Sequence, residues 1–201
     1  MFYTDQHSGA LRFGDVVSGY ILATPRIKQP VLEHGNHEYN VEIELSQQSV
    51  ILSPSCSIGD KKILIAPLRK IWPAFFDNEY LLKDLTRLNR KMERRFTHSP
   101  SAITKMDDKK KAIELTSEIV WAFVDLFIYE KNEKLPPYTI TRRQNSQEIR
   151  YYMIDFRDAT KVNCDLIVNA EKSPQNCKIL ELSDATRLEL SEKIQYFYKR
   201  A

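Results

Sequence analysis

The stretch VILSPSCSIGDKKILIAPL, Val50 to Leu68, decides the fold. Two apolar runs, Val50-Ile51-Leu52 and Ile63-Leu64-Ile65, flank a polar turn built on Gly59-Asp60. β-Branched runs bounded by turn residues read as paired, buried strands. Pro54 and Pro67 close the two runs, because proline has no N–H to give to a ladder. Ser53, Ser55, Cys56 and Ser57 then fall at the end of a buried strand, where a reactive group could be held.

Upstream, Phe13-Gly14-Asp15-Val16-Val17 opens a strand that runs to Leu22. After a proline-containing loop, Tyr39, Val41, Ile43 and Leu45 alternate with Asn40, Glu42 and Glu44. A period of two with acidic residues between is a strand with one wet face. Residues 12 to 68 therefore read as four antiparallel strands, the start of a small barrel or curled sheet.

Downstream of Trp72-Pro73 the period changes. Asp77 suits a helix N-cap, and Leu81, Leu85, Leu88, Met92 and Phe96 share one helical face. Lys83, Arg87, Arg90, Lys91 and Arg94 share the opposite face of this expected helix, 77 to 97. A second helix is expected over 109 to 129, started by Asp107 or Asp108. Its half IVWAFVDLFIYE is apolar nearly all round and reads as a buried helix. Past Leu135-Pro136-Pro137, residues 138–142 and 149–156 read as a hairpin across QNSQ. Leu166-Ile167-Val168 and Ile179-Leu180 are short strands, and Ser183 caps a last helix that buries Leu190, Ile194 and Phe197. The order predicts one α+β domain: a small SH3-like antiparallel β-barrel with a two-helix insertion and a C-terminal helix. Residues 1–70 form the first half of the barrel, 71–135 the insertion, and 136–201 the remaining strands and last helix.

Composition narrows the chemistry. The 201 residues are 42% hydrophobic and 28% charged, ordinary for a chain that buries a core without a metal or disulfide staple. The net charge of +3 is too small to announce nucleic acid by itself, so any basic footprint must be local. No apolar run reaches the roughly 18 residues of a membrane span. The first residues, MFYTDQHSGALRFGD, lack the basic and apolar regions of a signal peptide. Cys56, Cys164 and Cys177 are an odd count without CxxC spacing, which fits free thiols in a cytoplasmic protein. All five glycines lie within the first 59 residues, and none forms a phosphate-cradling pattern. P-loop and Rossmann chemistry are excluded on that ground, and no cofactor is expected.

Gly14-Asp15-Val16-Val17, Val50-Ile51-Leu52-Ser53-Pro54 and Ile63-Leu64-Ile65-Ala66-Pro67-Leu68 together resemble the core of the PemK/MazF-type toxin barrel. The resemblance covers residues 13 to 68. It implies an SH3-like barrel, a toxin–antitoxin or bacterial defence setting, and RNA cleavage without metal by an arginine and a threonine or serine. Ser46-Gln47-Gln48-Ser49 stand where the family places its arginine, and Leu68-Arg69-Lys70 where it places threonine or serine. The implied catalytic pair is thus not matched by position.

Four groups of side chains merit a functional reading. Cys56, Ser53 and Arg69 are the catalytic candidates; a thiolate at Cys56 would need a base, and His34 or His37 are the nearest in sequence. Against this stands a half-buried structural thiol. His34 and His37 have the spacing of a metal pair, but a zinc site needs three or four ligands and loop histidines explain them. Glu114, Glu118 and Asp125 fall on one side of the second expected helix, and no metal is assigned to them. Lys83, Arg87, Arg90, Lys91 and Arg94 form the candidate phosphate-contact face, against the plain reading of a solvated helix surface. The expected function is a cytoplasmic binding protein that contacts nucleic acid or a partner protein, open to homodimer formation. The alternative is a diverged, metal-independent RNA endonuclease.

Overall fold

The computed structural model describes residues 1–5, 8–18, 21–26, 40–53, 62–142, 145–163 and 177–200. Its strands in chain order are β1 (Val16–Ser18), β2 (Ile21–Arg26), β3 (Asn40–Leu45), β4 (Gln48–Ile51), β5 (Lys62–Pro67) and β6 (Arg69–Lys70). They continue as β7 (Lys91–Glu93), β8 (Ile119–Trp121), β9 (Leu126–Glu130), β10 (Tyr138–Arg142), β11 (Asn145–Ile149), β12 (Tyr151–Asp155), β13 (Thr160–Asn163) and β14 (Lys178–Leu180). The α-helices are α1 (Glu79–Leu82), α2 (Pro100–Thr104), α3 (Asp108–Glu114) and α4 (Asp184–Arg200). The protein is α+β with antiparallel sheets.

The Val50 and Ile63 segments pair as expected: β4 and β5 are antiparallel neighbours, with Ile51 opposite Ile65 and Val50 opposite Ala66. They lie inside a five-stranded sheet of order β13-β5-β4-β1-β14. Both faces of this sheet are covered. Val16, Val50 and Ala66 point into one core with Phe127, Tyr129 and Ile154. Val17, Ile51, Ile63 and Ile65 point into another. That is why the runs are continuously apolar rather than alternating. Among the described residues the sheet is open, with β13 and β14 at its edges, and does not close into a barrel. β2 and β3 form a separate two-stranded ribbon. Ile43, placed by its spacing on a buried face, is 65% exposed there.

The two long helices expected in 71–135 do not form. Asn78 and Asp84 each turn a side-chain oxygen onto a backbone N–H two residues on, that of Tyr80 and Thr86. Such local bonds start short turns and compete with a continuous helix. Their own backbones are extended, so the segment breaks into α1, a 3-10 turn at Leu85–Asn89, and β7. The leucine spacing still serves one core, since Leu81, Leu85, Leu88 and Met92 all bury together. The run IVWAFVDLFIYE is not a helix either; it gives β8 and β9. In β9, Leu126 and Ile128 face the Leu81–Leu88 core, whereas Phe127 and Tyr129 face the Val16–Val50 core. β12 alternates in the same way, Met153 to one side and Ile154 to the other. A strand buried on both faces looks apolar all round, and periodicity alone does not separate it from a buried helix. The sheet β6-β12-β9 is thus a wall shared by two cores.

The remaining expectations fare unevenly. Asp107 caps α3 through its bond from the Lys110 N–H. Ser183 accepts from the Thr186 N–H at the start of α4, as its sequence suggests. The C-terminal hairpin pairs β10 with β11 rather than with residues 149–156, and β12 joins β6 and β9 instead. Leu166-Ile167-Val168 lie outside the described residues. Among those described, no helix is long and apolar enough to cross a membrane.

Candidate functional site

Of the three catalytic candidates, Ser53 and Arg69 are among the described residues. Cys56 lies outside the described residues, as do His34 and His37. Ser53 is buried, and its hydroxyl oxygen accepts from the Leu64 N–H at 2.6 Å, which extends the β4–β5 ladder by one bond. Arg69 pairs with Asp158, in the turn after β12. Both side chains are committed to the fold.

The Gly14-Asp15 pair has a structural task that the sequence does not announce. Gly14 sits at φ +88°, and a Cβ there would lie 2.6 Å from Leu182 Cδ1. Only glycine takes that conformation and that space without strain. The turn aims the Asp15 carboxylate inward, where it is fully buried. Its Oδ2 lies 2.9 Å from Lys178 Nζ and accepts from the Arg12 N–H at 2.8 Å. Glu181 joins the same network, 2.5 Å from Lys178 Nζ and 3.3 Å from Arg12, and accepts from the Ser8 N–H at 2.9 Å. Arg187 of α4 stands 3.5 Å from both carboxylates. Burial pushes the Asp15 carboxyl up. Burial acts the same way on Glu181, but Lys178 and Ser8 outweigh it and hold that carboxyl down to about 2. Two acids and their cations satisfy one another, the arrangement expected of an ionic lock. It ties the N-terminal segment, β14 and α4 together.

The basic residues predicted to contact phosphate separate. Lys83 ends α1 and is exposed. Arg87 stacks over Tyr80 at 4.5 Å and donates to the Tyr80 carbonyl oxygen at 3.0 Å. Tyr80 in turn stacks on Phe96 at 3.9 Å, with Arg95 over the far ring at 4.8 Å. Arg90 pairs with Glu189 of α4 at 2.6 Å. These three are therefore not one cationic face; the helix that would have aligned them is interrupted at Asp84.

Lys91 and Arg94 instead reach a groove of about 580 Å³ between the β7–β8 ribbon and the C-terminal end of α4. Trp121, Phe123, Tyr196 and Arg200 line it with them. The β7–β8 register sets Lys91 opposite Trp121, with its Nζ 5.8 Å from the ring centroid. Trp121 and Tyr196 meet at 5.8 Å with their planes 37° apart. Arg200 lies one turn past Tyr196 and 4.9 Å over its ring. Cations over aromatic faces are held by the ring quadrupole, yet each remains available to an anion.

At the groove's other end, Arg94 donates to Glu118 from Nη2 at 2.8 Å and from Nε at 3.0 Å. His98 Nε2 lies 3.0 Å from Glu114, and that contact, with help from Arg94, holds the Glu114 carboxyl below its usual range. Phe123 is the sole non-glycine residue at positive φ, +46°, among those described. It is 36% exposed and meets Phe75 edge-on at 5.0 Å. Backbone held in that region is strained and occurs preferentially at sites of function. The lining thus carries Lys91, Arg94 and Arg200 against Glu118, together with Trp121, Phe123 and Tyr196.

Sequence reasoning found Lys91, Arg94 and, among the three carboxylates, Glu118, and missed the rest. Trp121 and Phe123 were absorbed into an expected buried helix. Tyr196 and Arg200 carried a usable signal, since their i, i+4 spacing sets them on one flank of α4 beside its Leu190–Ile194–Phe197 face. Comparison with protein-family models, curated proteins and solved structures returns no match.

Proposed function

We propose that the protein binds nucleic acid in the groove between the β7–β8 ribbon and α4. The observation that carries this reading is a pair of aromatic rings flanked by cations along one concave surface: Lys91, Trp121, Tyr196 and Arg200. Phosphates draw on the cations, and the rings offer apolar faces to bases. A purely anionic small ligand would need no aromatic lining, and a purely apolar one no cations. The PemK/MazF resemblance of residues 13–68, with its SH3-like barrel, cytoplasmic location and toxin–antitoxin or defence setting, belongs to this proposal as its biological frame.

Fluorescence anisotropy with labelled RNA and DNA oligonucleotides tests it. Binding should weaken with salt at a log–log slope of about −1.4 to −1.8, the value for two phosphate contacts, at Lys91 and Arg200. Lys91→Glu with Arg200→Glu should abolish binding, and Lys83→Glu, outside the groove, should change it little. Binding that survives the Lys91/Arg200 double substitution, or no binding of any oligonucleotide at low salt, overturns the reading.

A further inference from the structure

On the flank of α4 away from the groove, Leu188 is 60% exposed and Tyr198 53% exposed. Exposed apolar side chains that share a face and edge a cleft mark contact surfaces. With Ser191 and Gln195 between them they occupy positions i, i+3, i+7 and i+10, which is one helical face. They also edge a cleft of about 600 Å³ whose floor includes Phe13, Leu52 and Ile194. The stripe is apolar at both ends and small or polar at its centre, so it matches its own reverse.

The charges agree with that reversal. α4 has Asp184 in its first turn and Lys199 in its last, where Arg200 turns to the groove instead. Two such helices packed antiparallel bring the acidic start of each within a turn of the basic end of the other, and their dipoles oppose favourably. A parallel pairing would set like ends together. Ser191, near the centre, lets the two backbones approach. We propose that this face pairs with a second copy of the chain, α4 against α4 in antiparallel register, Leu188 of each against the partner's Tyr198. A two-fold interface of this kind is self-complementary by construction.

The consequence for function rests on the nucleic-acid reading. Tyr196 and Arg200 lie on a different flank of α4 from Leu188 and Tyr198, so pairing leaves both grooves open. They would sit toward opposite ends of the paired helices, offset along the axis by about 15 Å, the rise of the ten residues from Leu188 to Tyr198. One particle would then hold a strand at two points and gain avidity without a new contact.

Light scattering coupled to size exclusion decides the pairing independently of any ligand. The wild-type chain should elute at twice its monomer mass at micromolar concentration. Leu188→Glu should elute as a monomer with an unchanged circular dichroism spectrum. Combining Leu188→Glu with Tyr198→Lys should restore the dimer, because antiparallel register sets the new glutamate against the partner's new lysine. A monomeric wild type, including one whose own chain covers the cleft, overturns the proposal. So does a dimer indifferent to Leu188→Glu, or a double variant that stays monomeric. Loss of oligonucleotide binding by wild-type dimer would count against the groove alone.

Discussion

Lys193, fully buried in α4, donates from Nζ to the carbonyl oxygen of Leu88 in the 3-10 turn ahead of β7. Burial depresses its pKa to about 7, and Asp125 offsets this only in part. The unfolded chain holds the lysine proton up to its ordinary 10.5, so between about 7 and 10.5 the unfolded state binds more protons than the folded one. Stability therefore rises with pH across that window, and the full cost of burying the ammonium is felt below it. Thermal melts of wild type should show a gain of a few kcal/mol between about pH 7 and pH 9. Lys193→Met should lose that gain, and the difference between the two proteins isolates this one group.

Asp15→Ala should cost about 3 kcal/mol, the lower end for breaking a buried ion pair, because Lys178 keeps Glu181. Urea denaturation should show a lower midpoint with an unchanged slope. A loss below about 0.5 kcal/mol would mean that the lock is not a stabilising element.

Gly14→Ala should be worse than its single methyl suggests. The new Cβ meets Leu182 Cδ1 at 2.6 Å and Leu190 Cδ2 at 3.1 Å, at a backbone angle that L-residues avoid. Left-handed strain and overpacking together amount to about 2 to 5 kcal/mol. Calorimetry checks it, and a double-mutant cycle with Leu182→Ala, itself destabilising because Leu182 is buried, isolates the steric share.

Asn89 is buried and completes a strand edge without being in a strand. Its Nδ2 donates to the Ile128 carbonyl at 2.8 Å, and its Oδ1 accepts from the Ile128 N–H at 2.7 Å. Asn89→Ala leaves both backbone groups buried without partners, at about 2 to 6 kcal/mol for the two. Hydrogen exchange should report it locally, with the Ile128 amide losing protection before its neighbours in β9.

The β4–β5 pairing, the Asp107 and Ser183 caps and the inward face of α4 were legible in the sequence, because each depends on residues close together in the chain. Residues 77 to 97 and 115 to 130 were not. Leu81, Leu85, Leu88 and Met92 keep a helical spacing, yet the side chains of Asn78 and Asp84 hold the backbone in short turns, and the shared wall of β9 and β12 takes the apolar run that looked helical. Of the groove, Lys91 and Arg94 were visible as cations on a mistaken surface. Trp121, Tyr196 and Arg200 join them only through tertiary packing. The role of Asp15 was equally hidden, since its partners Lys178 and Arg187 come from the far end of the chain.

The separation between Asp15 and Arg187, 172 positions, sets a timetable for the nascent protein. At the usual pace of synthesis roughly 10 to 35 s pass between making the first and the second. For nearly all of that interval β1 has no β14 beside it, and the Asp15 carboxylate has neither Lys178 nor Arg187. Val16 and Val17 wait as a bare apolar edge, open to any strand that passes. Completion of the principal sheet is therefore a late event, dominated by distant partners and slow for its size. A ribosome-stalled chain that stops short of Lys178 should be captured by chaperones, and release of another two dozen residues should end that dependence.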